Sequence, residues 1–163
     1  MKTHPMQPAD KPPIFSMSIA GTLLAAREAV MADLRPHLKK NDFTEAQWRV
    51  LRAVAEGNCN DQRSVARAAL LHPPSVTRIL KELAQRGLVE RGTNETDGRR
   101  QIIVATARAR AILDEATETN REIVRRYRAT FGAERFDRMV SELRDFTATV
   151  RSLGADRQDD DIA

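Results

Sequence analysis

The stretch from Leu71 to Ala105, LHPPSVTRILKELAQRGLVERGTNETDGRRQIIVA, constrains the fold more than any other part of the chain. Pro73 and Pro74 suit the first turn of a helix, where a missing N–H costs nothing, and His72 stands where it can cap that turn. Val76, Ile79, Leu80 and Leu83 follow at helical spacing on one face and leave Ser75, Thr77, Arg78, Lys81 and Glu82 on the others. Gly87 predicts the stop. Leu88 to Arg91 and Gln101 to Ala105 have the character of short strands, and the link from Gly92 to Arg100 carries the turn dipeptide Asp97-Gly98 followed by two arginines. Helix, strand, charged turn and strand in that order outline a winged helix-turn-helix, a module that binds duplex DNA.

The flanking segments complete the pattern. Thr44 and Gln47 spell a capping box, with Phe43 placed to staple onto Trp48, so a helix starts here with Trp48, Leu51, Val54 and Ala55 facing inward. Gly57 and residues 58–61 end it and cap a third helix, in which Val65, Ala66, Ala69 and Leu70 point to the core. Upstream, Ile19, Leu23, Ala26, Val30, Leu34 and Leu38 keep a helical period from Met17 to about Lys40, and Pro36 predicts a kink or break. Downstream, Thr106 caps a long helix running towards Thr130 through Ile112, Leu113, Ala116, Ile123 and Tyr127, and Gly132 separates it from a last helix. There Phe136, Met139, Leu143, Phe146, Val150 and Leu153 step in alternating threes and fours, the narrow stripe of a helix that packs along another helix.

The expected class is therefore mainly α with a small β-wing: a winged helix-turn-helix with flanking dimerisation helices. The DNA-binding part spans about 44–105, the dimerisation helices 17–40 and 106–153. Residues 1–16, with four prolines, read as a flexible arm, and 154–163 as an acidic disordered tail. The outer helices present more apolar stripe than one small winged domain can cover, which predicts a homodimer. A two-fold pair also sets two recognition helices roughly 34 Å apart, the spacing of successive major grooves.

Charge agrees with an anionic partner. The formal net charge is +4, but four aspartates against one arginine make residues 155–163 −3, which leaves +7 on residues 1–154. Cys59 is the only cysteine, so no intramolecular disulfide forms, and one Cys with three scattered His gives no zinc spacing. No segment has signal-peptide or membrane-span character, which points to the cytoplasm. Nucleophile elbow, Gly-rich phosphate loop and metal motif are all missing, so neither an enzyme nor a cofactor is expected.

Ser75, Thr77 and Arg78 fall in the first turns of the recognition helix, the part that enters the major groove, and a guanidinium can grip guanine O6 and N7 together. Lys81 is placed for phosphate, while Arg63 and Arg67 on the third helix suit flanking phosphates and a plain solvated surface equally. Asp97 is near enough in sequence to brace an arginine of the wing, Arg99 or Arg100, by a charge-assisted hydrogen bond.

Over residues 17–153 the chain resembles the MarR family of bacterial transcription regulators, through TEAQWRVLRAVAE at 44–56, PSVTRILKELAQRGLVER at 74–91 and DGRR at 97–100. LLAAREAVM at 23–31, Arg35-Pro36 and TEAQWRVLR at 44–52 resemble its HpaR-like subgroup, regulators of homoprotocatechuate degradation. At 106–109 the sequence Thr-Ala-Arg-Ala departs from the family's usual Thr followed by an acidic residue and glycine. The resemblance implies a minor-groove role for Arg99, oriented by Asp97, and a small-molecule site where the first and second helices meet. Arg27, Trp48 and Arg49 are its candidates, since an aromatic carboxylate needs an apolar slot and a fixed cation. It further implies a repressor of an aromatic-compound catabolic operon that a small aromatic acid releases from a pseudo-palindromic operator. A regulator without a metabolite ligand and a non-specific architectural DNA-binding protein stay open as alternatives.

Overall fold

The computed structural model describes residues 14–57, 61–93 and 101–160, excepting the side chains of 93, 101 and 154–160. A 3-10 turn at Phe15–Met17 precedes α1 (Ile19–Lys40), α2 (Glu45–Ala55), α3 (Gln62–Ala69), α4 (Pro73–Gln85), β1 (Val89–Thr93), β2 (Gln101–Ala105), α5 (Ala107–Phe131) and α6 (Ala133–Asp160). The expected order of elements is the observed one. The chain forms two compact units, one ending at Ala116 and one beginning at Thr117, with α5 contributing to both.

In the first unit, Val50, Leu51, Val65, Val76, Leu83 and Leu88 are almost completely buried and close a core between α2, α3, α4 and the strands. Leu38 brings the end of α1 into it and Ala109 the start of α5. Local chemistry sets the boundaries. Thr44 Oγ1 accepts from the Gln47 N–H at 3.1 Å while Gln47 Oε1 accepts from the Thr44 N–H at 3.0 Å, and the Phe43 ring meets Trp48 edge-on with centroids 5.5 Å apart. Asp61 caps α3 by accepting from the N–H groups of Arg63 and Ser64. Thr106 Oγ1 accepts from the Ala109 N–H and donates to the Gly87 carbonyl, so the unusual 106–109 segment still opens α5 with a capped turn. The sheet is a two-stranded antiparallel ribbon in the register Val89↔Ala105 to Thr93↔Gln101, with β1 starting one residue later and ending two residues later than the sequence suggested. At the other end, Gly21 lies beneath the Phe15 carbonyl, where a Cβ would stand 1.9 Å from the oxygen; only glycine admits that approach.

Five expectations need correction. The end segments read as a flexible arm and a disordered tail are in part ordered, since Phe15 and Ser16 belong to the 3-10 turn and α6 continues to Asp160. α1 is not broken at Pro36: the ring removes one hydrogen bond in the second-to-last turn, and burial of Leu38 holds the remainder. His72 occupies the N-cap position of α4 without a side-chain cap bond, because Pro74 has no N–H and the Ser75 N–H donates to the His72 carbonyl at 3.0 Å. Leu70 does not face inward. It terminates α3 in the left-handed region, φ 54°, and its side chain is 63% exposed, while Leu71 packs against the core instead. In α2, Val50 and Ala53 are buried, whereas Trp48 and Ala55 are only partly so.

In the second unit, Gly132 takes φ 92° between α5 and α6. The Arg128–Asp137 ion pair and the Arg135 guanidinium over the Phe131 ring, 4.3 Å from its centroid, fasten the junction. Met139, Leu143, Phe146, Val150 and Leu153 of α6 are 39–57% exposed, so none of the described residues covers this stripe. Among the described residues no helix is long and apolar enough to cross a membrane.

Candidate nucleic-acid interface

α3 and α4, joined by a turn at Leu70–His72, form the helix-turn-helix, and α4 buries Val76, Ile79 and Leu83. That anchoring turns its opposite face to solvent. Thr77, Arg78 and Lys81 are exposed and Ser75 partly so, which gathers these candidates on one helix as the spacing predicted. Asp97, Arg99, Arg100 and Cys59 lie outside the described residues. Arg63 and Arg67 are exposed on α3.

The exposed face is ordered by side-chain bonds. Thr77 Oγ1 donates to the Pro73 carbonyl at 3.1 Å and accepts from Gln62 of α3, so its hydroxyl braces the two helices of the motif. Arg78 Nη1 donates to Glu82 Oε1 at 2.7 Å, one helical turn on. Glu82 Oε2 accepts from Gln47 Nε2 of α2 at 2.9 Å. The Gln47 bond, with the Arg78 charge behind it, holds the Glu82 carboxyl below the usual carboxylate range. Arg78 is 71% exposed in this pair. An exposed pair at this spacing is worth only about 0.3–0.5 kcal/mol, so it contributes orientation rather than stability. The sequence marked Gln47 as a cap and Glu82 as a solvated residue. No periodic pattern reports that the two meet across helices.

At the junction of α1 and α2, Glu45 pairs with Arg27 and, at 2.8 Å, with Arg35 Nε, while Glu28 pairs with Arg27 at 2.6 Å and Arg35 at 2.5 Å. The Arg35 bond first and the Arg27 bond second lower the Glu45 carboxyl; Arg35 does the same for Glu28. Arg86, at the end of α4, donates to the Asp42 and Asn41 carbonyls at 2.9 and 3.1 Å and lies over the Phe43 ring. Sequence reasoning gave Arg86 no role and used Arg35 only as part of a resemblance, because neither shows its partners on another element in the local pattern.

The three effector candidates have separate neighbours. Arg27 belongs to the ion-pair cluster, Trp48 sits against Phe43 and His37, and Arg49 Nη1 donates to the Leu70 carbonyl at 3.5 Å. Arg49 Nε and His37 Nε2 are buried without a hydrogen-bond partner. An open cleft of about 740 Å³ runs beside Arg35, Leu38, Phe43, Thr44 and Glu45, and Arg27, Trp48 and Arg49 are not in its lining.

A model of the MarR family matches residues 41–100. The homoprotocatechuate degradative operon repressor of Escherichia coli is 37% identical over 145 residues, which cover 89% of this chain and 94% of that protein. The chain belongs to the MarR family. It is a transcription regulator of the kind that binds DNA and acts as a dimer. Among solved structures, NadR in complex with 4-hydroxyphenylacetate superposes with a TM-score of 0.70 at 31% identity, over 88% of this chain and 97% of that one. CouR from Rhodococcus jostii RHA1 bound to p-coumaroyl-CoA gives the same TM-score at 25% identity, over 85% and 95%.

Proposed function

We propose that this MarR-family regulator is a cytoplasmic homodimer that represses an aromatic-compound catabolic operon and leaves its pseudo-palindromic operator when a small aromatic acid binds. The observation that carries the reading is the near full-length similarity to the homoprotocatechuate operon repressor. The NadR complex with 4-hydroxyphenylacetate supports the ligand class. Residues 17–40 and 106–153 serve as dimerisation helices and about 44–105 as the DNA-binding part. Exposed Ile19, Val30, Leu143 and Phe146 support a second copy of the chain as their cover.

On DNA, Arg78 reads a base in the major groove, Ser75 and Thr77 line its approach, Lys81 meets phosphate, and the wing's Arg99 enters the minor groove beside Asp97 and Arg100. For the effector, Arg27 supplies a cation, Trp48 an apolar wall and Arg49 a second cation, whose unpartnered Nε supports the assignment. An acid that takes the Arg27 guanidinium competes with Glu45, and so acts on the ion pairs between α1 and α2.

The ligand must favour the state that does not bind DNA, since equal affinity for both states shifts nothing. Calorimetry with hydroxyphenylacetates and hydroxycinnamates, with and without operator, measures that difference. The expected result is binding that weakens when operator is present and is blunted in Arg27→Ala and Arg49→Ala. Binding of none of these acids, or binding without effect on operator affinity, leaves a DNA-binding regulator with another input.

A further inference from the structure

We propose that Gln47 and Glu82 are positioning residues for sequence discrimination: Gln47 of α2 fixes the Glu82 carboxylate, and Glu82 fixes the guanidinium of Arg78 towards the base it reads. This rests on the reading that Arg78 contacts a base.

The geometry divides the labour between the two oxygens of one carboxylate. Oε2 accepts from Gln47 at 2.9 Å and Oε1 accepts from Arg78 at 2.7 Å. A glutamate held at both oxygens by side chains from two different helices has fewer rotamers open to it, and the partner on α2 is itself held by a second bond. Gln47 Oε1 accepts from the Thr44 N–H in the capping box, which leaves its amide group aimed at α4. The chain of bonds therefore runs from the start of α2, through one amide and one carboxylate, to the exposed end of Arg78. A long side chain that is 71% exposed otherwise samples many rotamers, and ordering it on binding DNA costs free energy. Anchoring one Nη1 hydrogen in advance removes much of that cost and leaves the Nε and Nη2 hydrogens for a base edge.

The placement of charge argues against a simpler role in affinity. A carboxylate one turn from the DNA-reading residue repels phosphate, so Glu82 weakens binding to every sequence alike. What it gives in return is direction for Arg78. The polarity of the Gln47 bond also matters: the amide donates, and only a donor suits an ionised Glu82 whose carboxyl is held in its charged form.

The test uses the full-length protein and three substitutions. Sites are selected from a pool of random duplexes, and affinities are then measured for the selected duplex, its single-base-pair variants and a mixed-sequence duplex. Arg78→Ala identifies the base pair that Arg78 specifies. Gln47→Glu keeps the capping box, since glutamate serves there as well as glutamine, but sets a carboxylate against Glu82. Glu82→Ala removes the anchor outright. Gln47→Glu and Glu82→Ala are each expected to lower the preference at the Arg78 base pair, and only there, by about threefold to tenfold, part of what a bidentate guanine contact supplies. In the Arg78→Ala background neither causes a further loss of preference. Glu82→Ala is also expected to bind the mixed-sequence duplex at least as tightly as the unaltered protein, a result that partial unfolding would not produce. Full preference in both variants, with Arg78→Ala losing it, overturns the positioning role while Arg78 keeps its base. Full preference in Arg78→Ala removes the base contact and this inference with it.

Discussion

Residues 43–109 and the stripes of α1 and α6 place apolar side chains at similar helical spacing and finish in opposite states. In the first region Val50, Leu51, Val65, Val76 and Leu83 are excluded from water within one chain. On α1, Ile19, Leu23 and Val30 are 37–63% exposed, and on α6 every stripe residue from Met139 to Leu153 is as open. The contrast shows that periodicity announces a face that must be buried without naming what buries it. Three short helices and a ribbon can enclose a core because they turn back on each other every few residues. Helices of 22 and 28 residues carry their stripes well beyond the reach of those short elements.

The largest expected effect breaks the comparison from the outer side. Removing residues from Gly132 onward should abolish the dimer while the first unit keeps its fold, with sedimentation giving the mass and circular dichroism the helicity. A folded dimer after truncation would place the interface on α1 and α5 alone. A paired experiment sharpens the contrast. Leu51→Ala should cost about 2–5 kcal/mol of unfolding free energy, because a fully buried side chain leaves a cavity. Leu143→Asp, 39% exposed in the single chain, should leave that unit's stability alone and weaken association. If Leu143→Asp instead lowers the urea midpoint of an isolated subunit, α6 is covered within its own chain.

A smaller effect concerns the ion pairs at the α1–α2 junction. The folded carboxyl of Glu45 lies below its ordinary value of 4.5, so the unfolded chain holds that proton more tightly. The resulting stabilisation is complete above that value and is lost as pH falls through the lower, folded one. Glu45→Gln should therefore lower stability slightly near neutral pH and flatten its decline towards about pH 3, as read from urea midpoints across that range. An unchanged slope would assign the acid sensitivity to other carboxylates.

How much was legible beforehand follows the same division. The order of elements, the Thr44–Gln47 box, the Phe43–Trp48 contact and the exposure of Thr77, Arg78 and Lys81 on α4 were all readable, since each depends on residues within a few positions of one another. Local signals also failed, most plainly at Leu70, where spacing promised burial and a left-handed backbone turned the side chain outward. The bonds that tie Arg86 to the 41–42 carbonyls, Gln47 to Glu82 and Arg35 to Glu45 join residues 10 to 45 positions apart. Polar side chains carry no periodic signature of a distant partner, so those pairings emerge only from the fold. The effector residues were the least readable, because a pocket is a property of surfaces brought together and not of any one helix.

The left-handed Leu70 has a consequence for which substitutions its position tolerates. At φ 54° and 63% exposed, the residue contributes little through its side chain and pays, by chirality, about 1 kcal/mol for its backbone. In a library covering every amino acid at this position, selection would act on backbone geometry rather than on hydrophobicity. Glycine and asparagine should be retained, and valine and isoleucine, apolar like the native residue but branched at Cβ, should be the first to disappear.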